Sequence, residues 1–203
     1  MTKEESAQPP AIGKRIIDAE SISRSISRLA YEILEKNFEV NLLSSNQSQP
    51  SLAIVGIKTG GEYIARRIWE RICEIDPENY GKKPPSFGVL DIMLYRDDIF
   101  EVETFPTLKG TDLPFSVSHS RIILVDDVLY TGRTIRAALD AIIDFGRPKR
   151  VELAVLIDRG HRELPIRPDY VGKNLPTTHA ESIKVRLKEN GYEDGVYLTQ
   201  RKK

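Results

Sequence analysis

Three short stretches of this chain are apolar almost without interruption: LAIVGI at 52–57, RIILV at 121–125 and VELAVLI at 151–157, with Arg121 and Glu152 as their only polar residues. A run of that length without polar alternation fits a strand covered on both faces, as in a parallel sheet. Residues 87–94 read as a further strand. Between the runs the apolar spacing changes to that of helices. Ile22, Ile26, Leu29, Ala30 and Ile33 form one such set, with Ser21 as the expected cap and a polar loop over 41–51. Ile64, Ala65, Ile68 and Ile72 form a second, after Gly60 and Gly61. Ile135, Ala138, Leu139, Ile142 and Phe145 form a third, starting at about Gly132 and stopped by Gly146 and Pro148. Strands alternating with helices predict an α/β, doubly wound, mainly parallel sheet with helices on both faces. The 203 residues suit one domain. Residues 1–14, with Pro9 and Pro10, are expected to be a disordered tail, 15–200 the domain, and 201–203 a frayed end.

Thirty Lys and Arg balance thirty Asp and Glu, which excludes a bulk polycation but not a local basic patch. The single cysteine, Cys73, excludes an intramolecular disulfide or a cysteine-based zinc site. There is no apolar run of about 18 residues, so no membrane span is expected. The sequence MTKEESAQPP lacks the apolar core of a secretory signal, and the expected compartment is the cytoplasm.

The segment IILVDDVLYTGRT at 122–134 carries the chemistry. A buried strand is expected to end in Asp126 and Asp127, and a turn then leads through Thr131, Gly132, Arg133 and Thr134 into a helix. In open α/β sheets, ligands bind beyond the carboxyl ends of the strands. A helix N-terminus there offers N–H groups and positive potential to a phosphate. The carboxylates would repel that phosphate, so they suit sugar hydroxyls or a magnesium shell. Together the two features suit a sugar phosphate. Residues 99–120, with Pro106, Gly110 and Pro114, read as a long loop, and such loops are often lids or binding loops.

VDDVLYTGRT resembles the binding motif for phosphoribosyl pyrophosphate (PRPP) of the type I phosphoribosyltransferases. GIKTGGEYIARR (56–67), DIMLYRDDI (91–99) and AVLIDRGHRELPIRPDYVGKNLPT (154–177) resemble the PyrR family of pyrimidine-operon regulators with uracil phosphoribosyltransferase activity. The resemblance runs from about residue 14 to 198. It implies the type I phosphoribosyltransferase fold, with a flexible active-site loop and a small hood. It implies that Asp126 and Asp127 hold the ribose hydroxyls, and that Val128, Leu129, Tyr130, Thr131, Gly132, Arg133 and Thr134 form the PRPP loop. Lys58, Thr59, Gly60 and Gly61 would bind pyrophosphate. Tyr95, Arg96 and Asp97 would open the closing loop, with Arg96 reaching the pyrophosphate, while Asp158 and Arg159 would lie on the base side. Magnesium would be held mainly through PRPP, without direct protein ligands. Uracil would attack the anomeric carbon, giving UMP and pyrophosphate. Many relatives carry Arg where this chain has Gly60, and a missing guanidinium removes a charge-assisted bond of about 1.5–3 kcal/mol. Lys58 and Arg96 are the cations left to compensate.

Some relatives also bind a stem-loop of pyrimidine messenger RNA, promoted by uridine nucleotides (UMP, UTP), and so cause attenuation. The candidate positions are Arg24, Ser27, Arg28 and Tyr31 on the first helix, and Arg159, His161, Arg162, Arg167 and Lys173 after the fourth strand. Relatives often have Thr and His at Ser27 and Tyr31; Ser keeps the hydroxyl, while Tyr keeps a ring but loses the imidazole donor. The resemblance also implies a homo-oligomer, from dimer to hexamer. Two other readings stand beside the transferase: an RNA-binding regulator with weak or no catalysis, and a phosphoribosyltransferase for another base, because the PRPP motif touches only the sugar phosphate. His119, His161 and His179 have no metal-ligand spacing, and the P-loop and dinucleotide glycine patterns do not occur. Trp69 reads as packing.

Overall fold

The computed structural model describes residues 13–43, 51–95 and 110–200. Its centre is a five-stranded, all-parallel sheet in the order β3-β2-β4-β5-β6. The strands are β2 (Leu52–Ile57), β3 (Ser86–Leu90), β4 (Arg121–Leu129), β5 (Arg150–Asp158) and β6 (Tyr170–Asn174). All six residues of β2 are buried, as are the first six of β4. This is why those runs carry no polar alternation: helices cover both faces. Helices α1 (Ala19–Leu43) and α2 (Gly60–Ile75) lie on one face, where Ile22, Leu29, Ile33, Ile64, Ile68 and Ile72 pack on Ile54, Ile123 and Val125. Helix α4 (Arg133–Asp144) covers the other with Ile135, Ala138 and Ile142 against Ile122 and Leu124. The four-residue α3 (Pro77–Tyr80) follows α2.

A second sheet, in the order β1-β8-β7, is antiparallel and forms the hood. It joins β1 (Lys14–Asp18), β7 (Glu181–Arg186) and β8 (Gly195–Gln200). Ile17, Ile183, Leu187 and Val196 seat it on the α1–α2 side of the core.

Local expectations change at several points. Lys14, expected in the tail, opens β1 opposite Leu198. The first helix begins at Ala19, and its N-terminal acceptor is Asp18, whose Oδ1 takes a bond from the Ser21 N–H at 2.8 Å. Ser21 is therefore inside the helix rather than its cap. The helix also continues through 41–43, which were expected in a loop, while 44–50 lie outside the described residues. The strand expected over 87–94 stops at Leu90, and a 3₁₀ turn takes Met93–Tyr95. Residues 110–120 pack on the edge of the sheet: Asp112 bridges Val89 with two 2.8 Å bonds, and Leu113, Phe115 and Val117 join the α4-side core. That half of the expected lid is therefore anchored, and 96–109 lie outside the described residues. Among the described residues, no helix is long and apolar enough to cross a membrane.

Candidate active site

β4 does not end at the two acids. It runs on to Leu129, with Asp126 beside Val155 and Val128 beside Ile157 of β5. Ladder pairing continues because backbone N–H and C=O groups make it, and acidic side chains do not interrupt them. Asp126 is buried, and its Oδ1 accepts the Asp127 N–H at 2.9 Å. Burial holds the Asp127 carboxyl above the usual aspartate range, although the Val128 N–H and the Asp126 side chain oppose the shift.

Two helices begin at this end of the sheet. α4 starts after Gly132, which has φ 95° and no side-chain cap bond. Only glycine adopts that left-handed conformation without strain. α2 starts after Thr59, again without a side-chain cap bond, and the Lys58–Thr59 peptide is cis. The Lys58 N–H donates to the Leu90 carbonyl at 3.0 Å, holding the 58–61 turn between β2 and β3. Gly60 lies directly against Asp127: a Cβ built there would overlap the carboxylate. Asp127 thus fills the space a side chain at 60 would take, and a larger residue there requires the carboxylate to turn aside.

The loop after β5 buttresses the 130–134 turn. The N–H groups of Glu163 and Leu164 donate to the Thr131 carbonyl at 3.0 and 3.1 Å. Arg162 donates to the Tyr130 carbonyl at 3.0 Å and pairs with Asp158 at 2.6 Å, and Arg133 pairs with Glu163 at 2.8 Å. The turn's carbonyls are thus held from outside, and α4 begins directly beyond them. A cleft of about 390 Å³ opens beside the acids, between Asp127 and Val128 on one side and Ile183, Lys184, Val185, Arg186 and Tyr192 on the other.

The expected residues therefore divide. Asp126, Asp127, Lys58–Gly61 and Val128–Thr134 meet at the carboxyl end of the central strands β2 and β4. Tyr95 does not join them: its hydroxyl donates at 2.6 Å to Asp144, the last residue of α4, at the opposite end from Gly132. Arg96 and Asp97 lie outside the described residues. Arg159 is 4% exposed, with its guanidinium over the Tyr130 ring at 3.9 Å and bonded to Thr177 and the Glu181 carbonyl, so it is not a surface contact for RNA. His161 donates from Nε2 to the Thr177 carbonyl and packs against His179, with ring centres 4.1 Å apart and planes tilted by 54°. Arg28 donates to the Val171 and Gly172 carbonyls at 2.8 and 2.5 Å, tying α1 to β6, and Ser27 accepts from Arg71 at 3.1 Å. Arg24, Tyr31, Arg167 and Lys173 are exposed. Trp69 packs against Phe87 and donates to the Pro85 carbonyl, consistent with a packing role. Sequence reasoning missed the β7 wall of the cleft, because its pairing partner is set by the hood and by no local pattern.

The phosphoribosyl transferase domain model matches residues 13–190. A protein named bifunctional protein PyrR from Elusimicrobium minutum is 52% identical over 185 residues, covering 91% of this chain and 96% of the relative. The chain belongs to the PyrR family of phosphoribosyltransferases. A PyrR protein from Clostridioides difficile is 50% identical over 186 residues, covering 92% and 97% of the two chains. The family fold extends to distant structures: hypoxanthine phosphoribosyltransferase of Trypanosoma cruzi superposes with a TM-score of 0.65 at 15% identity, covering 94% of this chain and 98% of that one. That likeness concerns the type I fold alone, with its parallel sheet between helices.

Proposed function

We propose that this PyrR-family chain makes UMP and pyrophosphate from uracil and PRPP, and that it also controls pyrimidine genes by binding their messenger RNA. One observation carries the transferase reading: two helices without side-chain caps, α2 and α4, start on either side of an adjacent pair of carboxylates. PRPP has the matching pattern, with a phosphate at one end, a pyrophosphate at the other and two hydroxyls between. The 131–134 turn would take the 5′-phosphate, 58–61 with Lys58 the pyrophosphate, and Asp126 and Asp127 the ribose hydroxyls as acceptors.

The N1 nitrogen of uracil then bonds to the anomeric carbon as the carbon–oxygen bond to pyrophosphate breaks, and the N1 proton is lost. The protein holds the reactants in line and stabilises the leaving charge with N–H dipoles and Lys58. The cleft beside Val128 is the place for the base. Magnesium would come in on PRPP and keep most of its other waters, with the Asp126 and Asp127 carboxylates close enough to favour its charge without serving as its direct ligands. When bound, that ion neutralises pyrophosphate oxygens. The RNA reading rests on Arg24 and Tyr31 of α1 and Lys173 of β6, which are exposed on elements that Arg28 ties together.

The test is product formation from PRPP and magnesium with uracil, orotate or hypoxanthine in turn. UMP from uracil alone is the expected result, and turnover only with another base overturns the assignment. In the same preparation, Arg24→Ala with Lys173→Ala should weaken binding of a pyrimidine leader stem-loop while UMP formation stays unchanged.

A further inference from the structure

Arg67 stands in the 56–67 segment, two turns into α2, outside the helix's buried face. Its side chain is 15% exposed and is enclosed by two acids from the β7–β8 connection. Nε and Nη2 donate to Glu189 at 2.7 and 2.6 Å, and Nη1 and Nη2 donate to Asp194 at 2.6 and 2.9 Å. Asp194 also accepts the Lys188 N–H at 2.8 Å, so the connection is folded around the same ion pair. Both carboxyls are held below their ordinary range. For Asp194 the Arg67 bonds are the main cause; for Glu189 they outweigh an opposing burial. Two forked pairs on one guanidinium fix orientation as well as distance, which lysine cannot do.

The connection so held carries Tyr192, which lines the cleft and lies under Arg186 at 4.7 Å. Ile183, Lys184, Val185 and Arg186 of β7 form the rest of that wall. α2, at the other end of the ion pair, begins in the candidate pyrophosphate turn. We propose that Arg67 is a positioning residue for the transfer reaction: it locks the hood wall of the base cleft to the helix that presents the pyrophosphate turn. The distance between base and anomeric carbon is thereby set by a contact that touches neither. This rests on the transferase reading and adds to it the element that places the base.

The experiment is initial-rate kinetics on Arg67→Gln and Arg67→Lys, varying uracil and PRPP separately, with amide hydrogen exchange over 187–194. For Arg67→Gln the KM for uracil should rise about tenfold or more, while the KM for PRPP stays within about twofold. Arg67→Lys should fall between the two, because the charge remains without the fork. Exchange over 187–194 should quicken in both. If Arg67→Gln fails to fold, Glu189→Gln with Asp194→Asn removes the charges at constant volume and should give the same uracil effect. Equal changes in both KM values, or none, would overturn the positioning role. Unaltered exchange would overturn the lock itself. Failure of the parent protein to form UMP is a separate outcome: it sinks the transferase reading and the positioning role with it, while the exchange data still decide the lock.

Discussion

Asp127 is the residue at which stability and chemistry pull apart. Its carboxyl lies against the Gly60 backbone at the floor of the candidate site, and burial raises its proton affinity. The sign follows directly. Below the ordinary aspartate range both folded and unfolded chains hold the proton, and nothing is lost. As pH rises from there through the higher native value, the unfolded chain releases its proton first, and stability falls. Asp127→Asn removes this penalty. The variant should melt a few degrees higher at neutral pH, about 2–4 °C for each 1 kcal/mol regained, with a flatter dependence on pH above 4. Its PRPP-dependent turnover should drop on the order of 100-fold, as for loss of one pre-placed polar contact. Melting curves across pH and a rate assay check both halves; undiminished turnover would remove Asp127 from the site.

At the scale of elements, the segment most legible beforehand was strand–turn–helix 122–134, because every part of it is local. The apolar run, the glycine and the helical spacing each act over a few residues. What locality hid was the length of β4: pairing with β5 carries the ladder past two acids that read as a stop. The same holds at α1, where Asp18 serves as the N-terminal acceptor only because β1 delivers the chain there. The α4 turn gives a test at this scale. Gly132→Ala would put a Cβ on a residue at φ 95°, with Ile166 3.3 Å and Leu164 3.4 Å away. It should cost about 1–2 kcal/mol of stability in denaturant titration. The KM for PRPP should rise while the KM for uracil holds, because the turn touches only the phosphate end.

At the scale of the whole molecule, one buried network joins α1, α3, β4, β5 and β6. Arg121, 1% exposed, donates to Glu152 at 2.8 and 2.5 Å, to Asn37 at 2.8 Å and to the Tyr170 hydroxyl at 3.0 Å. Asn37 in turn donates to Tyr80 at 2.8 Å, and Lys36 reaches the other Glu152 oxygen at 3.0 Å. Burial alone would raise the Glu152 carboxyl, but Lys36 and Arg121 outweigh it and hold it low. Arg121→Met should cost about 1–3 kcal/mol, because it takes the buried donors from one Glu152 oxygen while Lys36 and Arg150 stay on the other at 3.0 Å. Adding Glu152→Leu should return most of that loss, since an apolar pair of similar volume is close to neutral. Denaturant midpoints of the two variants and the parent decide it. Arg121 and Glu152 were the only polar residues in their apolar runs, and the structure places them side by side at the end of the sheet away from the acids.

By itself the amino-acid sequence determined the parallel core, the two helix-start turns and the acids between them. Each depends on the pattern of neighbouring residues, and backbone geometry turns that pattern into structure without reference to the rest of the chain. The tertiary structure alone decided which distant groups meet. Tyr95 goes to Asp144 rather than to the site, Arg159 is sealed under its own loop, and Arg67 finds Glu189 and Asp194 more than 120 residues away. Such partners are chosen by how the sheets and helices pack, and charge pairing across that distance leaves no local mark in the sequence.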